Sequence, residues 1–251
     1  MQKIFSNIID IGEQMLICGA EVHRVEDSIE RMCKAFGAKA VDVFSITSSL
    51  VVTITMEDEA HYTETRRISV SGTDMERLHR LNELSRTICR DKLSKEQIKD
   101  AYDTCMKSKT YPTWLVCLSY GMIAGAFTAF FGGKIQDILL SPVIGIVISF
   151  ITYMAEKVVI NKIFLKFLCS FVVTAMAFLF LKIGFISNVD MVIIGNIMVL
   201  IPGIGLTNAI RDLFVGDSIA GILRTVEAIL FALAISAGYF LFVWTMGGVL
   251  S

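Results

Sequence analysis

The sequence predicts an N-terminal α+β cytosolic domain followed by an α-helical membrane bundle of about five transmembrane helices. Three observations carry this. Residues 1–110 hold 34 of the 47 charged side chains in the 251-residue chain, and residues 111–251 hold the other 13. The second part contains apolar stretches of the length that crosses hydrocarbon, about 20 residues for roughly 30 Å. Between residues 40 and about 71 the apolar pattern leaves helical spacing for runs rich in β-branched residues. The composition, 54% apolar and 19% charged with a net charge of −1, excludes a purely soluble enzyme, a secreted disulfide scaffold and a nucleic-acid binder that works by bulk charge. The six scattered cysteines form no CxxC or zinc spacing and read as free thiols.

The opening residues lack the apolar stretch and cleavage site of a signal peptide. Ile4, Ile8, Ile11 and Met15 mark a first amphipathic helix over 3–18, interrupted at Gly19. A second helix carries Val22, Val25, Ile29, Met32 and Phe36 and ends at Gly37. Val41–Phe44, Leu50–Met56 and Tyr62–Val70 are the expected strands, with Glu57, Asp58 and Glu59 as a turn between the last two. Helical spacing returns at Met75, Leu78, Leu81, Leu84 and Ile88, and Ser94 with Gln97 forms a capping box for a helix to about Met106. About 110 residues suffice for a core of their own.

No catalytic constellation emerges from this domain. His61 and His79 stand without a motif, and Arg66 and Arg67 adjoin in a strand, where one of a neighbouring pair points to solvent. His23 and Glu26 are one helical turn apart, but Arg24 between them repels a cation, so no metal is expected. Glu21, Arg24 and Glu26 form a polar helix face suited to docking contacts or to reading a solute. No Walker A sequence is present, and no cofactor is expected.

The expected spans are 112–131, 138–155, 163–181, 191–206 and 218–244, the fourth short and interrupted. Lys107, Lys109, Lys157, Lys162, Lys166 and Arg211 fall on the side of the N-terminus, against Lys134 and Lys182 on the other. The positive-inside rule then gives a cytosolic N-terminus and an outside C-terminus in the plasma membrane. An odd number of spans matches half of an inverted-repeat transporter, because a second such unit would insert upside down. Small residues at four-residue intervals, Gly121, Gly125, Ala129 and Gly133, then Ser141, Gly145 and Ser149, predict close packing of the first two spans.

Chemistry concentrates in 195–227. Pro202 removes a backbone donor and should break the fourth span, and broken backbone at membrane depth persists only where protein or a water-filled cavity satisfies it. Asn196 precedes the break; Thr207, Asn208, Arg211, Asp212 and Asp217 follow it; Arg224 and Glu227 lie one turn apart in the fifth span. A charge at mid-bilayer costs about 2.5–3.5 kcal/mol on insertion scales, so an opposite charge should accompany it. Two readings stand side by side. In one, Arg211 and Asp212 belong to a cytosolic loop and Arg224–Glu227 is a structural pair. In the other, these eight residues line a polar path for a small carboxylate solute, held bidentately by arginine, with Asp217 or Glu227 taking an ammonium group or a coupling proton.

Gly19-Ala-Glu-Val-His-Arg-Val-Glu26, with Pro202-Gly-Ile-Gly-Leu-Thr-Asn-Ala-Ile-Arg-Asp212 and Gly216-Asp217, resembles the threonine/serine exporter (ThrE-type) family. The likeness covers essentially the whole chain and implies the family's N-terminal half, a cytosolic domain followed by five spans. Full-length members continue into a second membrane portion, whereas this chain stops at Ser251. It is thus more similar to the split (YjjP-like) form, for which a separate YjjB-like membrane subunit supplies the second half. The resemblance implies secondary export of threonine and serine, or of succinate-like dicarboxylates. A homo-oligomer is compatible with it. The competing class is a membrane-anchored cytosolic enzymatic or regulatory module.

Overall fold

Alternation along Ser49–Met56 places Leu50, Val52 and Ile54 on one face of a strand, and all three are buried. This strand is the centre of an antiparallel sheet of order β1 (Ala38–Ile46), β2 (Ser49–Met56), β3 (His61–Arg67). Val43 pairs with Val52, and Thr53 with Thr63. Glu59, at φ 63°, carries the chain from β2 to β3. Residues 2–70, 72–107, 111–158 and 161–250 are described, in a computed structural model, without the side chains of 156 and 247–250. Lys109, an expected inner-side charge, and Ser71, the expected end of the strand region, lie outside them.

Four helices accompany the sheet, α1 (Gln2–Ile17), α2 (Val22–Ala35), α3 (Met75–Asp91) and α4 (Lys95–Met106); α1 and α2 pack on it, α3 packs on α1 and α2, and α4 on α1 and α3. Their stripes meet in one core of Phe5, Ile8, Met15, Ile29, Leu81 and Ile98, among others. Burying each such side chain contributes about 1.5–3 kcal/mol. Gly12 sets the approach of α1 to α2, because a Cβ there would run into Ile29 Cδ1. The capping box is formed: Ser94 Oγ accepts from Gln97 N–H, and Ser94 N–H donates to the Gln97 side chain. Arg66 is tied to Asp10 and Glu64, each at 2.9 Å, while Arg67 is exposed.

The same compact unit takes in Ile204–Thr225, that is, α9 (Gly203–Val215) past its first residue and the opening turns of α10 (Ser218–Leu250). Gly216, at φ +106°, turns the chain between them. A Cβ on Gly221 would sit 3.0 Å from Ala209 O and closer still to Leu213, so the two helices cross tightly. Ala220 joins the core formed by α1 and α2.

The second unit comprises α5 (Thr113–Phe130), α6 (Ile135–Val158), α7 (Lys162–Lys182), α8 (Val189–Ile197) with a 3-10 turn (Met198–Leu200), and the rest of α10. Among the described residues, four helices are long and apolar enough to cross a membrane, up to five if the bent pair 189–200 and 203–215 counts as one. The pair bends by 57°, where Ile201 is extended ahead of Pro202. The break therefore falls where the missing donor placed it. The helix beyond it runs on to Val215, past the 206 expected for the fourth span.

The small-residue spacing acts as expected. Cβ atoms at Gly121 and Gly125 would lie 3.1 Å from Pro142, and one at Gly145 would lie 2.7 Å from Tyr120 O. Ser141 Oγ is 2.6 Å from Thr128 Oγ1, and Ser149 Oγ donates to Cys117 Sγ. The unit is thus a bundle in which backbones touch.

Candidate functional site

Gly19 sits at φ +90°, a conformation that suits glycine, and turns the chain from α1 into α2. A Cβ there would also lie 2.9 Å from Gly72 O. The turn leaves the carbonyls of Gly19 and Ala20 without partners in either helix. Both are met from α9 and α10. Asn208 Nδ2 donates to Gly19 O at 3.0 Å, and Arg224 Nη2 donates to Ala20 O at 2.8 Å.

Two ion pairs complete the docking. Arg211 Nη1 is 2.7 Å from Glu21 Oε1, and Arg224 Nε is 3.4 Å from Asp212 Oδ2. The first pair is half open, with side-chain exposures of 58% for Arg211 and 15% for Glu21. The second is buried, at 11% for Arg224 and 1% for Asp212. The backbone of Val22, first residue of α2, faces the Asp212 carboxylate, so that carboxylate stands at a helix N-terminus whose own N-cap residue, Glu21, makes no side-chain cap. The local pairing of Arg224 with Glu227, read from their spacing, is not what forms: Asp212 is the ion-pair partner of Arg224. Across the crossing, Asp212 is presented at the buried face that Arg224 shares with Ala220, while Glu227 is exposed.

Glu26 extends the cluster. Its Oε1 accepts from Ser45 N–H at 2.8 Å and from Ser45 Oγ–H at 3.0 Å. Burial pushes its carboxyl above the ordinary Glu value of 4.5, and the nearby Asp217 carboxylate pushes the same way, against the Ser45 bonds and His23. Asp217 is half-buried with a buried Oδ2 that has no hydrogen-bond partner. A carboxyl that titrates higher when folded than unfolded favours folding below its unfolded pKa and loses that contribution as pH rises through the folded one. Wild-type protein should therefore gain thermal stability relative to Glu26→Gln as pH falls from about 7 to about 5. Melting curves of the purified pair check this; parallel pH profiles would contradict it.

Glu21, Glu26, Asn208, Arg211, Asp212, Asp217 and Arg224 are thus brought together in one unit, from the two segments singled out in the sequence. Thr207 is exposed on α9, and Arg24 is exposed on α2. Asn196 and Glu227 belong to the other unit. Asn196 is fully buried, its Nδ2 donating to Ser141 Oγ at 2.7 Å and to Val192 O at 2.9 Å, with Oδ1 left without a hydrogen-bond partner.

Sequence reasoning missed Asp137. It is fully buried and accepts from Lys134 N–H, Ser187 N–H and Asn188 N–H. One carboxylate therefore both caps α6 and holds the α7–α8 connection. Its position three residues after the N-cap Lys134 was the available signal.

The family model described as "Putative threonine/serine exporter" matches residues 6–246. The chain is 26% identical over 230 residues to the "Probable succinate transporter subunit YjjP" of Klebsiella aerogenes, across 88% of this chain and 85% of that one. It is 24% identical over 243 residues to the protein of the same description in Escherichia coli K12, across 96% and 94%. A longer fungal protein, the "Pheromone-regulated membrane protein 10" of Eremothecium gossypii, is 23% identical over 94% of this chain and 33% of its own length. No solved structure matches.

Proposed function

Because this chain belongs to the threonine/serine exporter family, we propose that it is one subunit of a secondary transporter that exports small carboxylate-bearing metabolites across the plasma membrane. Succinate-like dicarboxylates, threonine and serine are the solute candidates, and a separate YjjB-like membrane subunit is the partner that supplies the second half. The N-terminal α+β domain, residues 1–110, lies in the cytosol and the C-terminus outside, in keeping with the lysines that flank the apolar helices. Spans over about 112–131, 138–155, 163–181 and 191–206, with the part of 218–244 that follows Thr225, form the membrane domain, and Ile204–Thr225 packs with the cytosolic domain.

The observation that carries this reading is the docking of the broken-helix segment onto the α1–α2 turn. Arg211 keeps one guanidinium edge on Glu21 while 58% of its side chain stays open to solvent. A guanidinium so placed can take a solute carboxylate bidentately. It can also exchange Glu21 for that carboxylate, which loosens the outer of the two ion pairs while the buried Arg224–Asp212 pair holds the fold. Asn208 and Thr207 lie on the same helix as polar contacts for the solute, and Asp217 or Glu227 is the group that takes an ammonium or a coupling proton. Asn196, within the bundle, is a further candidate for a solute, proton or gating role.

Proteoliposomes test the proposal. Efflux of labelled succinate, threonine and serine is measured with this chain alone, with the second-half subunit alone and with both. Flux of at least one solute with both subunits, and not with either alone, is expected. A correctly inserted pair that moves none of the three overturns it.

A further inference from the structure

Away from the docking cluster, α2 and α3 turn two polar faces toward each other. On α2 the face repeats at Arg24, Asp27 and Arg31; on α3 it repeats at Asn82, Arg86 and Arg90, one helical turn apart each time. Between them lies a cleft of about 400 Å³ whose rim carries four arginines against a single aspartate. Asp27 is committed to Arg31 at 2.8 Å. Arg90 is committed to Asp91, also at 2.8 Å. Among the described residues, Arg24 and Arg86 have no acidic partner. Ser85, buried with only 6% exposure, contributes to the floor.

We propose that this cleft is a binding site for a small multivalent oxyanion, a polycarboxylate or a phosphate compound, held by Arg24 and Arg86 from opposite walls. Unpaired guanidinium groups converging on one cavity repel each other and are drawn to an anion that both can fork onto. The cleft's volume admits a solute of metabolite size and excludes a folded partner. Arg31 and Arg90 are neutralised by Asp27 and Asp91, so the net positive charge of the cleft comes from Arg24 and Arg86, and Ser85 supplies a hydroxyl to an oxygen seated at depth.

The site has a position from which occupancy can be felt. Arg24 and Asn82 are walls shared with a second cavity, of about 280 Å³, which Glu21 and Asn208 also line. An anion that draws the Arg24 side chain into the cleft withdraws a positive charge from beside Glu21, the partner of Arg211. The site is separate from the proposed solute path, and its test does not depend on flux.

Inorganic phosphate and citrate are titrated calorimetrically into the full chain in nanodiscs of zwitterionic lipid, at constant ionic strength set with chloride. Saturable binding of at least one is expected, and the tighter of the two identifies phosphate or carboxylate as the preferred group. Arg24→Gln with Arg86→Gln should weaken it about tenfold or more, as removal of two charge-assisted partners requires. Arg86→Gln alone, on the exposed surface of α3, should weaken it about threefold and serves if the double variant does not fold. Absence of saturable binding of either anion, or unchanged affinity in the Arg86→Gln protein, overturns the proposal.

Discussion

Arg224→Ala is expected to cost about 3–5 kcal/mol of stability, because it leaves the Asp212 carboxylate buried without its opposite charge. The two groups are 3.4 Å apart at 11% and 1% exposure, and Ala20 O loses its donor as well. The fall should appear as a lowered melting temperature and reduced folded protein in membranes. Removing both charges separates structure from function. Arg224→Met with Asp212→Leu removes the desolvation cost of both groups and should restore the melting temperature to near wild type. Flux should stay low in this variant, because the Ala20 carbonyl and the polar cluster around it remain without their guanidinium. A melting temperature unchanged in Arg224→Ala would show that the pair contributes little.

Gly195→Leu should disrupt the second unit even more severely. A Cβ at Gly195 would lie 2.7 Å from Thr128 N and 2.9 Å from Thr128 Cα, and closer still to the Thr128 hydroxyl. The first two are backbone atoms of α5 and cannot swing aside, so α8 must move away from α5. Overpacking costs about 1–3 kcal/mol where side chains can adjust, and this site offers backbone instead. The adjacent Asn196–Ser141 bond would be stretched by the same displacement. Gly203→Ala is the matched control, since a Cβ there meets nothing within 4 Å. Size-exclusion profiles in detergent should show loss of the monodisperse species for Gly195→Leu and its retention for Gly203→Ala.

The elements were legible where a local cause decides them. β-branched alternation marked β2, the Ser94–Gln97 box marked the start of α4, and Pro202 marked the break after Leu200, each acting within a few residues. The apolar helices followed from length and composition alone. What could not be read was the return of Ile204–Thr225 to the N-terminal helices. Asn208 and Arg224 satisfy carbonyls nearly 190 and 204 positions away in the chain, and nothing in the periodicity of α9 announces that. The spacing of Arg224 and Glu227 invited a local pair, but a helix crossing brought Asp212 to the buried face first. Each of the two motifs has its complement in the other: the Gly19 turn exposes carbonyls, and the segment after Pro202 carries the donors.

The most direct measurement is solute efflux from proteoliposomes containing both subunits, after charge reversal across the Glu21–Arg211 pair. Glu21→Arg and Arg211→Glu should each lower flux at equal protein content, and the double reversal, which restores an opposite-charge pair at the same 2.7 Å contact, should recover a substantial part of it. Full flux in both single variants, or a double variant no better than either, would contradict the claim that transport depends on the broken-helix segment being held by the α1–α2 turn.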